Sequence, residues 1–223
     1  MARYKLKNQP FKSSMLKRFF CIGCLFIMVV TGNTQNRLDE QFSAKDIHTI
    51  SIHDDKLSSI KITTAKTDRI KLISILDGEY QNDFQLDQTK EKEILKLNLR
   101  RVSFGEISDD KRNAHKVIAA TLQLQIPEHL NIDIKSALSS VELEGKFKSL
   151  YSSLSQGYFK FKGDSDTAII HTIDGDIEII TNSGGMIKAK SNHGNVKLDT
   201  FYGSQSSWEL KSIKGDINVV KLR

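Results

Sequence analysis

Beyond residue 36, apolar side chains recur at every second position. Ile50 and Ile52 sit in one run and Ile60 and Ile62 in the next. Ile70-Lys-Leu-Ile-Ser-Ile75, Leu95-Lys-Leu-Asn-Leu99, Leu122-Gln-Leu-Gln-Ile126 and Leu130-Asn-Ile-Asp-Ile134 follow. Successive side chains of a strand point to opposite faces, so most of these runs bury one face and wet the other. Helical spacing is nearly absent, and the chain reads as all-β. One short segment, Leu38 to Asp46, is read as a helical turn leading into the first strand.

Glycine divides this pattern in two. Residues 36–144 hold Gly78 and Gly105 alone, whereas residues 145–215 hold nine glycines. In the second part the runs shorten to Ser140-Val-Glu-Leu, Gly157-Tyr-Phe-Lys-Phe, Gly175-Asp-Ile-Glu-Ile, Gly185-Met-Ile-Lys-Ala, Gly194-Asn-Val-Lys-Leu and Gly215-Asp-Ile-Asn-Val. Gly145 to Gly163 and Gly157 to Gly175 are each 18 residues apart, Gly175 to Gly194 is 19 and Gly194 to Gly215 is 21. A steady period of this size predicts stacked coils of two short strands and two turns, none of which can bury its apolar face alone. The expected architecture is a β-solenoid. Longer strands fill 47–135 and short rungs fill 136–221. Ile177, Ile187, Val196 and Ile217 would be neighbours in one set, and Ile179, Ala189, Leu198 and Val219 in another. The stretch Val219 to Arg223 would place charge on the C-terminal edge, and the N-terminal strands would cap the other end. An ordinary antiparallel β-sandwich is the competing reading. The polar stretch from Gly105 to Lys116 is read as a long exposed loop.

The first residues are different material. Arg3, Lys5, Lys7, Lys12, Lys17 and Arg18 precede an apolar run, Phe19 to Val30, and Gly32 and Thr34 supply small residues before Gln35. This is the pattern of a secretory signal peptide over residues 1–34, with Met1 or Met15 as the start. The apolar run is twelve residues, too short for the roughly 20 that span a bilayer core. No stable membrane span is expected after cleavage. The remaining 35–223 reads as one domain.

The leader also carries the charge. The whole chain has 33 Lys+Arg and 27 Asp+Glu. Without the six leader bases the balance is neutral, so the net +6 is no nucleic-acid footprint. Lys160, Lys162, Lys188, Lys190 and Lys197 read as an outward, solvated face that resists edge pairing. Both cysteines, Cys21 and Cys24, lie in the leader. The mature chain therefore offers no disulfide, thiol nucleophile or cysteine-based zinc site.

Leu122-Gln-Leu-Gln-Ile-Pro127-Glu-His-Leu-Asn-Ile-Asp-Ile134, then Ser140-Val-Glu-Leu-Glu-Gly145, then the Gly-Asp-Ile rungs at 175–177 and 215–217, together resemble the "putative adhesin" β-strand-repeat family of exported bacterial proteins. The resemblance covers roughly 47–221 and is most specific from 121 onward. It implies a single-stranded, right-handed, β-helix-like solenoid without an established catalytic site. Head-domain autotransporter adhesins have a similar rung pattern.

Candidate chemistry is sparse. Asp164, Asp166, Asp174 and Asp176 could supply oxygen ligands to calcium, but Asp after a turn glycine, as at Asp176 and Asp216, commonly bonds local backbone. His48, His53, His115, His129, His171 and His193 form no pair at helical ligand spacing, and zinc at His48 or His53 would need Asp54 or Asp55. Glu142 with Glu144, or Glu178 with Asp199, could be pictured as the acid–base pair of a polysaccharide lyase or hydrolase. Trp208, the single tryptophan, is read as core or cap. No catalytic, cofactor-binding or metal residue is assigned, and no cofactor is expected. The expected function is non-catalytic binding, adhesion or scaffolding in the periplasm, at the outer-membrane surface or outside the cell, with a protein or polysaccharide partner. A periplasmic sensing or regulatory module is the alternative.

Overall fold

The computed structural model describes residues 36–78, 81–102, 119–182, 185–201 and 205–222. The leader and the Gly105–Lys116 loop lie outside them. The described residues form fifteen strands: β1 (Asn36–Ser43), β2 (Thr49–His53), β3 (Leu57–Ala65), β4 (Arg69–Asp77), β5 (Phe84–Glu91), β6 (Ile94–Arg101), β7 (Ala119–Pro127), β8 (Asn131–Ser136), β9 (Ser140–Gln156), β10 (Phe159–Asp174), β11 (Ile177–Thr181), β12 (Met186–Ser191), β13 (Val196–Leu198), β14 (Ser207–Ser212) and β15 (Ile217–Lys221). One 3-10 turn, Gln81–Asp83, precedes β5. The segment expected to be a helical turn is strand β1 over most of its length. Leu38, Glu40 and Phe42 alternate with more exposed residues there, and pairing with β4 satisfies its backbone.

All fifteen strands belong to one mixed sheet. Their pairings trace two ladders. The first runs β1-β4-β7-β3-β9-β10-β11-β15-β13. In the second, β5, β6, β2 and β8 lead to the later halves of β9 and β10, then to β14 and β12. Pairing is parallel from β7 to β13 and from β6 to β12, and antiparallel at β1–β4, β4–β7 and β5–β6.

Two glycines explain how one strand serves both ladders. Gly145 bends β9 between its pairing with β3 and its pairing with β8, at φ +124°. Gly163 does the same in β10 at φ +144°, a region L side chains avoid. The two stack, and a Cβ on Gly163 would lie 1.8 Å from the carbonyl oxygen of Gly145. β8 stacks on β9, β9 on β10, and β10 on β11 at an offset of 18 residues, as in Asn131↔Ser149, Phe159↔Val141 and Phe159↔Ile177.

The order then departs from the chain. β11 pairs with β15, not with β13, and β13 pairs with the far side of β15. Likewise β10 pairs with β14, and β12 lies beyond β14. The last pair of strands is thus inserted beneath the pair that precedes it. Ile177, Ile217 and Val196 share one row, whereas Ile187 stacks on Trp208 in the other ladder. Ile179, Val219 and Leu198 likewise share a row, and Ala189 stacks on Leu210. At this end of the sheet the edge strands are β12 and β13, so the charged end of β15 does not form the edge. The reason is apolar content. Trp208, Leu210, Ile217 and Val219 are all 1% exposed or less. The β12–β13 pair offers Ile187, Ala189, Val196 and Leu198 inward, with no ring to match Trp208 and the small Ala189 in place of Leu210, and gains less from the interior.

Between the ladders lies a continuous aliphatic core from Ile47 to Val219. An aromatic run crosses it, with Phe147 and Phe161 ring centres 5.8 Å apart and Phe161 and Trp208 6.0 Å apart. Ala168 is the register partner of Trp208, a small side chain beside a large one. The indole N–H donates to the Ser165 carbonyl at 3.1 Å. The tryptophan is core, as its alternation with Leu210 predicts.

Candidate interaction surface

The residues that face outward on the first ladder follow from strand alternation and register. Lys61, Glu142, Lys160, Glu178, Asn218 and Lys197 are successive partners across β3, β9, β10, β11, β15 and β13. A second row places Glu144 beside Lys162. Neighbouring strands lie about 4.8 Å apart, so from Lys61 to Glu178 each charge meets an opposite one. Lys61 Nζ lies 3.0 Å from Glu142, Lys160 Nζ 3.1 Å from Glu178 and Lys162 Nζ 2.9 Å from Glu144. The Tyr158 hydroxyl donates to Glu142 at 2.6 Å, and Lys160 Nζ sits 4.8 Å from the centre of the Tyr158 ring. The charged side chains of these two rows, with Ile180, line a shallow groove of about 430 Å³.

Electrostatics fix the protonation here. The Tyr158 hydroxyl, and then the Lys61 ammonium, hold the Glu142 carboxyl below its ordinary range. The same hydrogen bond pushes the Tyr158 phenol up. A general acid needs its pKa raised toward the working pH. Glu142 is shifted the other way, and Glu144 is ion-paired with Lys162. Glu178 is paired with Lys160 and is separated from the β13 end, which leads into Asp199, by the whole of β15. Asp199 accepts the Lys221 amide at 2.9 Å. Neither carboxylate pair pictured from the sequence is assembled as an acid–base couple.

The second ladder presents a face that mixes hydroxyl, amide and charged rows. One row is Thr49, Asn131, Ser149, Thr167, Ser207 and Met186, and another is Ser51, Asp133, Tyr151, Ile169, Glu209 and Lys188. The Ser149 hydroxyl donates to Asn131 at 2.7 Å. His53 Nε2 lies 2.8 Å from Asp133, and His48 lies 3.8 Å from Glu93. Lys211 and, beyond it, His171 hold the Glu209 carboxyl below its ordinary range.

The remaining candidates resolve into local structure. Asp54 is buried and accepts the amides of Lys56 at 2.6 Å and Leu99 at 2.5 Å. Asp176 accepts the Asp216 amide at 2.8 Å, and Asp216 accepts the Asn195 amide at 2.7 Å. Asp174 pairs with Lys214 at 3.0 Å. Among the described residues no group of three or more His, Cys, Asp and Glu is placed to hold a metal. No helix among them is long and apolar enough to cross a membrane. The alternating row has a sequence signal of its own that glycine spacing does not reveal, since Glu142, Lys160 and Glu178 recur at the 18-residue period. Aligning charges as well as glycines at that period would have found it.

No protein-family model and no curated protein matches the chain. Among solved structures it is similar to a "putative cell adhesion protein" from Clostridium sporogenes. The TM-score is 0.58 and the identity 14%, covering 85% of this chain and 100% of that one. It is also similar to a "putative adhesin" from Bacteroides fragilis, with a TM-score of 0.37 and 14% identity over 84% of this chain and 97% of the other. The likeness to the Clostridium sporogenes protein shows a shared all-β fold.

Proposed function

We propose that this chain is an exported, non-catalytic protein of the bacterial envelope or surface that binds, adheres or scaffolds through its flat outer faces. In this reading the parallel ladders are the walls of a right-handed solenoid, 35–223 is its single domain, and 1–34 directs export. The carrying observation is the outward row Lys61–Glu142–Lys160–Glu178, whose carboxylates are all ion-paired. Such a row repeats one kind of contact at strand spacing. It suits an extended partner, a protein or a polysaccharide, met by many modest contacts at once. The leader supports export, and the fold shared with the Clostridium sporogenes protein agrees with an adhesive role.

The test is to immobilise the protein and expose it to envelope polysaccharide and envelope protein fractions. K61E/K160E breaks the row on exposed positions. Binding that falls at least tenfold while the melting curve holds supports the reading. Binding unchanged by that variant, or hydrolysis or elimination of a polysaccharide by the protein, overturns it. A periplasmic module that binds another envelope protein is the second reading, favoured by the uncovered last rung.

A further inference from the structure

Among the described residues the stack has no cap on the β12–β13 side, where β12 pairs with β14 alone and β13 with β15 alone. Each therefore leaves one row of backbone N–H and C=O groups without a strand partner. Val196 and Leu198 continue the inward rows of Ile217 and Val219, which are 1% and 0% exposed, yet each is itself 41% exposed. Ile187 and Ala189 continue the inward rows of Trp208 and Leu210 and are only partly buried. Phe201 packs against the core nearby, and the end otherwise stays open among the described residues.

The outward positions of the same strands are Lys188 and Lys190 on β12 and Lys197 on β13. None has a carboxylate partner among the described residues. Further along the row that Lys197 ends, Lys61 and Lys160 each hold one at about 3 Å. Each of these rows ends on lysine at the edge, with Lys197 after Asn218, Lys188 after Glu209 and Lys190 after Lys211, so an added strand that is acidic outward and apolar inward would complement all three. A second copy meeting edge to edge would set lysine against lysine, which costs free energy.

We infer that the β12–β13 edge accepts a strand–turn–strand segment from a partner protein, one strand pairing with β12 and the other with β13, each alternating acidic and apolar residues. Backbone pairing supplies affinity, and the alternate side chains supply specificity: apolar ones cover Ile187, Ala189, Val196 and Leu198, acidic ones meet Lys188, Lys190 and Lys197. Lys188 and Lys197 end outward rows described above, but Lys61 and Lys160 lie strands away from this edge, so K61E/K160E leaves it intact.

The experiment uses the full protein and two synthetic peptides. One has two strands joined by a turn, each alternating Glu with Val and Ile, and the other carries Lys at each Glu position. Binding is followed by fluorescence anisotropy at low and high salt. The acidic peptide is expected to bind, to weaken with salt, and to lose at least tenfold in affinity to K188E/K190E/K197E. That variant should keep the wild-type melting curve and gain affinity for the basic peptide. Equal binding of both peptides, binding of neither, or indifference to the triple variant overturns the inference. Self-association of the protein in sedimentation that the variant abolishes also overturns it, in favour of a second copy. Equal, variant-sensitive binding to vesicles of anionic lipid overturns it in favour of a membrane surface.

Discussion

Ile217 stacks on Ile177, forty residues earlier in the chain, and Val196 stacks on the opposite side of Ile217. The strand made last is therefore interior, and a strand made before it forms the edge. This sets a clear contrast between two positions that alternate alike in sequence. I177D places an unpaired carboxylate at a site with no exposure and should cost roughly 3–5 kcal/mol or leave the protein unfolded. V196D falls at an exposed edge and should cost under about 1 kcal/mol. Urea denaturation of both variants checks this, and similar losses would contradict the insertion.

The corner glycines form a second column with the same order. A Cβ on Gly175 would lie 1.8 Å from the Gly157 carbonyl oxygen, one on Gly215 2.1 Å from that of Gly175, and one on Gly194 2.3 Å from that of Gly215. Backbone cannot retreat as a flexible side chain can. Gly175→Ala should separate the rungs on either side and destabilise by roughly 2 kcal/mol or more. Gly78 has nothing comparable described against it, and its substitution should cost only what its positive φ of 114° imposes. Thermal melting of the two alanine variants measures the difference.

Alternation and the 18-residue step were legible in the chain. They come from side-chain geometry and from turns, which are local. The insertion of β14–β15 was not legible, because a period says how long a rung is and not which rung it lies on. Competition for the interior decided that, and Trp208 with Ile217 outbid Ala189 with Val196. The long-range docking of β3 on β9, with Ser59 beside Ser140, was hidden for the same reason. Within the site, the charge row was readable from Glu142, Lys160 and Glu178 at equal spacing. The addition of Lys61 to it depended on that unreadable docking.

The bond between Tyr158 and Glu142 has a pH signature. Glu142 is held below its ordinary range, so the folded state binds its proton less readily than the unfolded chain does. The resulting stability is present above the unfolded carboxylate pKa and is lost as pH falls through the lowered folded value. Tyr158 is raised, and its contribution is lost as pH rises through its folded value. Tyr158→Phe should cost about 0.5–1 kcal/mol at neutral pH, the low range suiting a part-exposed pair. The gap between variant and wild type should close in strong acid. Denaturation across a pH series reads it directly, and a gap that widened with acid would be the wrong sign.

Cys21 and Cys24 both lie within 1–34, and no metal-holding cluster occurs among the described residues. The melting curve of the exported protein should therefore be the same with and without chelator, and with and without reducing agent. A fall in melting temperature with chelator would show a structural metal.

Export and display are the central claim, and location tests them most directly. Cells producing the full chain are fractionated, and intact cells are treated with protease before the protein is detected. The account predicts a chain shortened by its leader, found outside the cytoplasm and degraded by protease on intact cells. Protein kept in the cytoplasm with its leader attached would contradict export. Protein shielded in the periplasm would contradict surface adhesion and leave the envelope-module reading in its place.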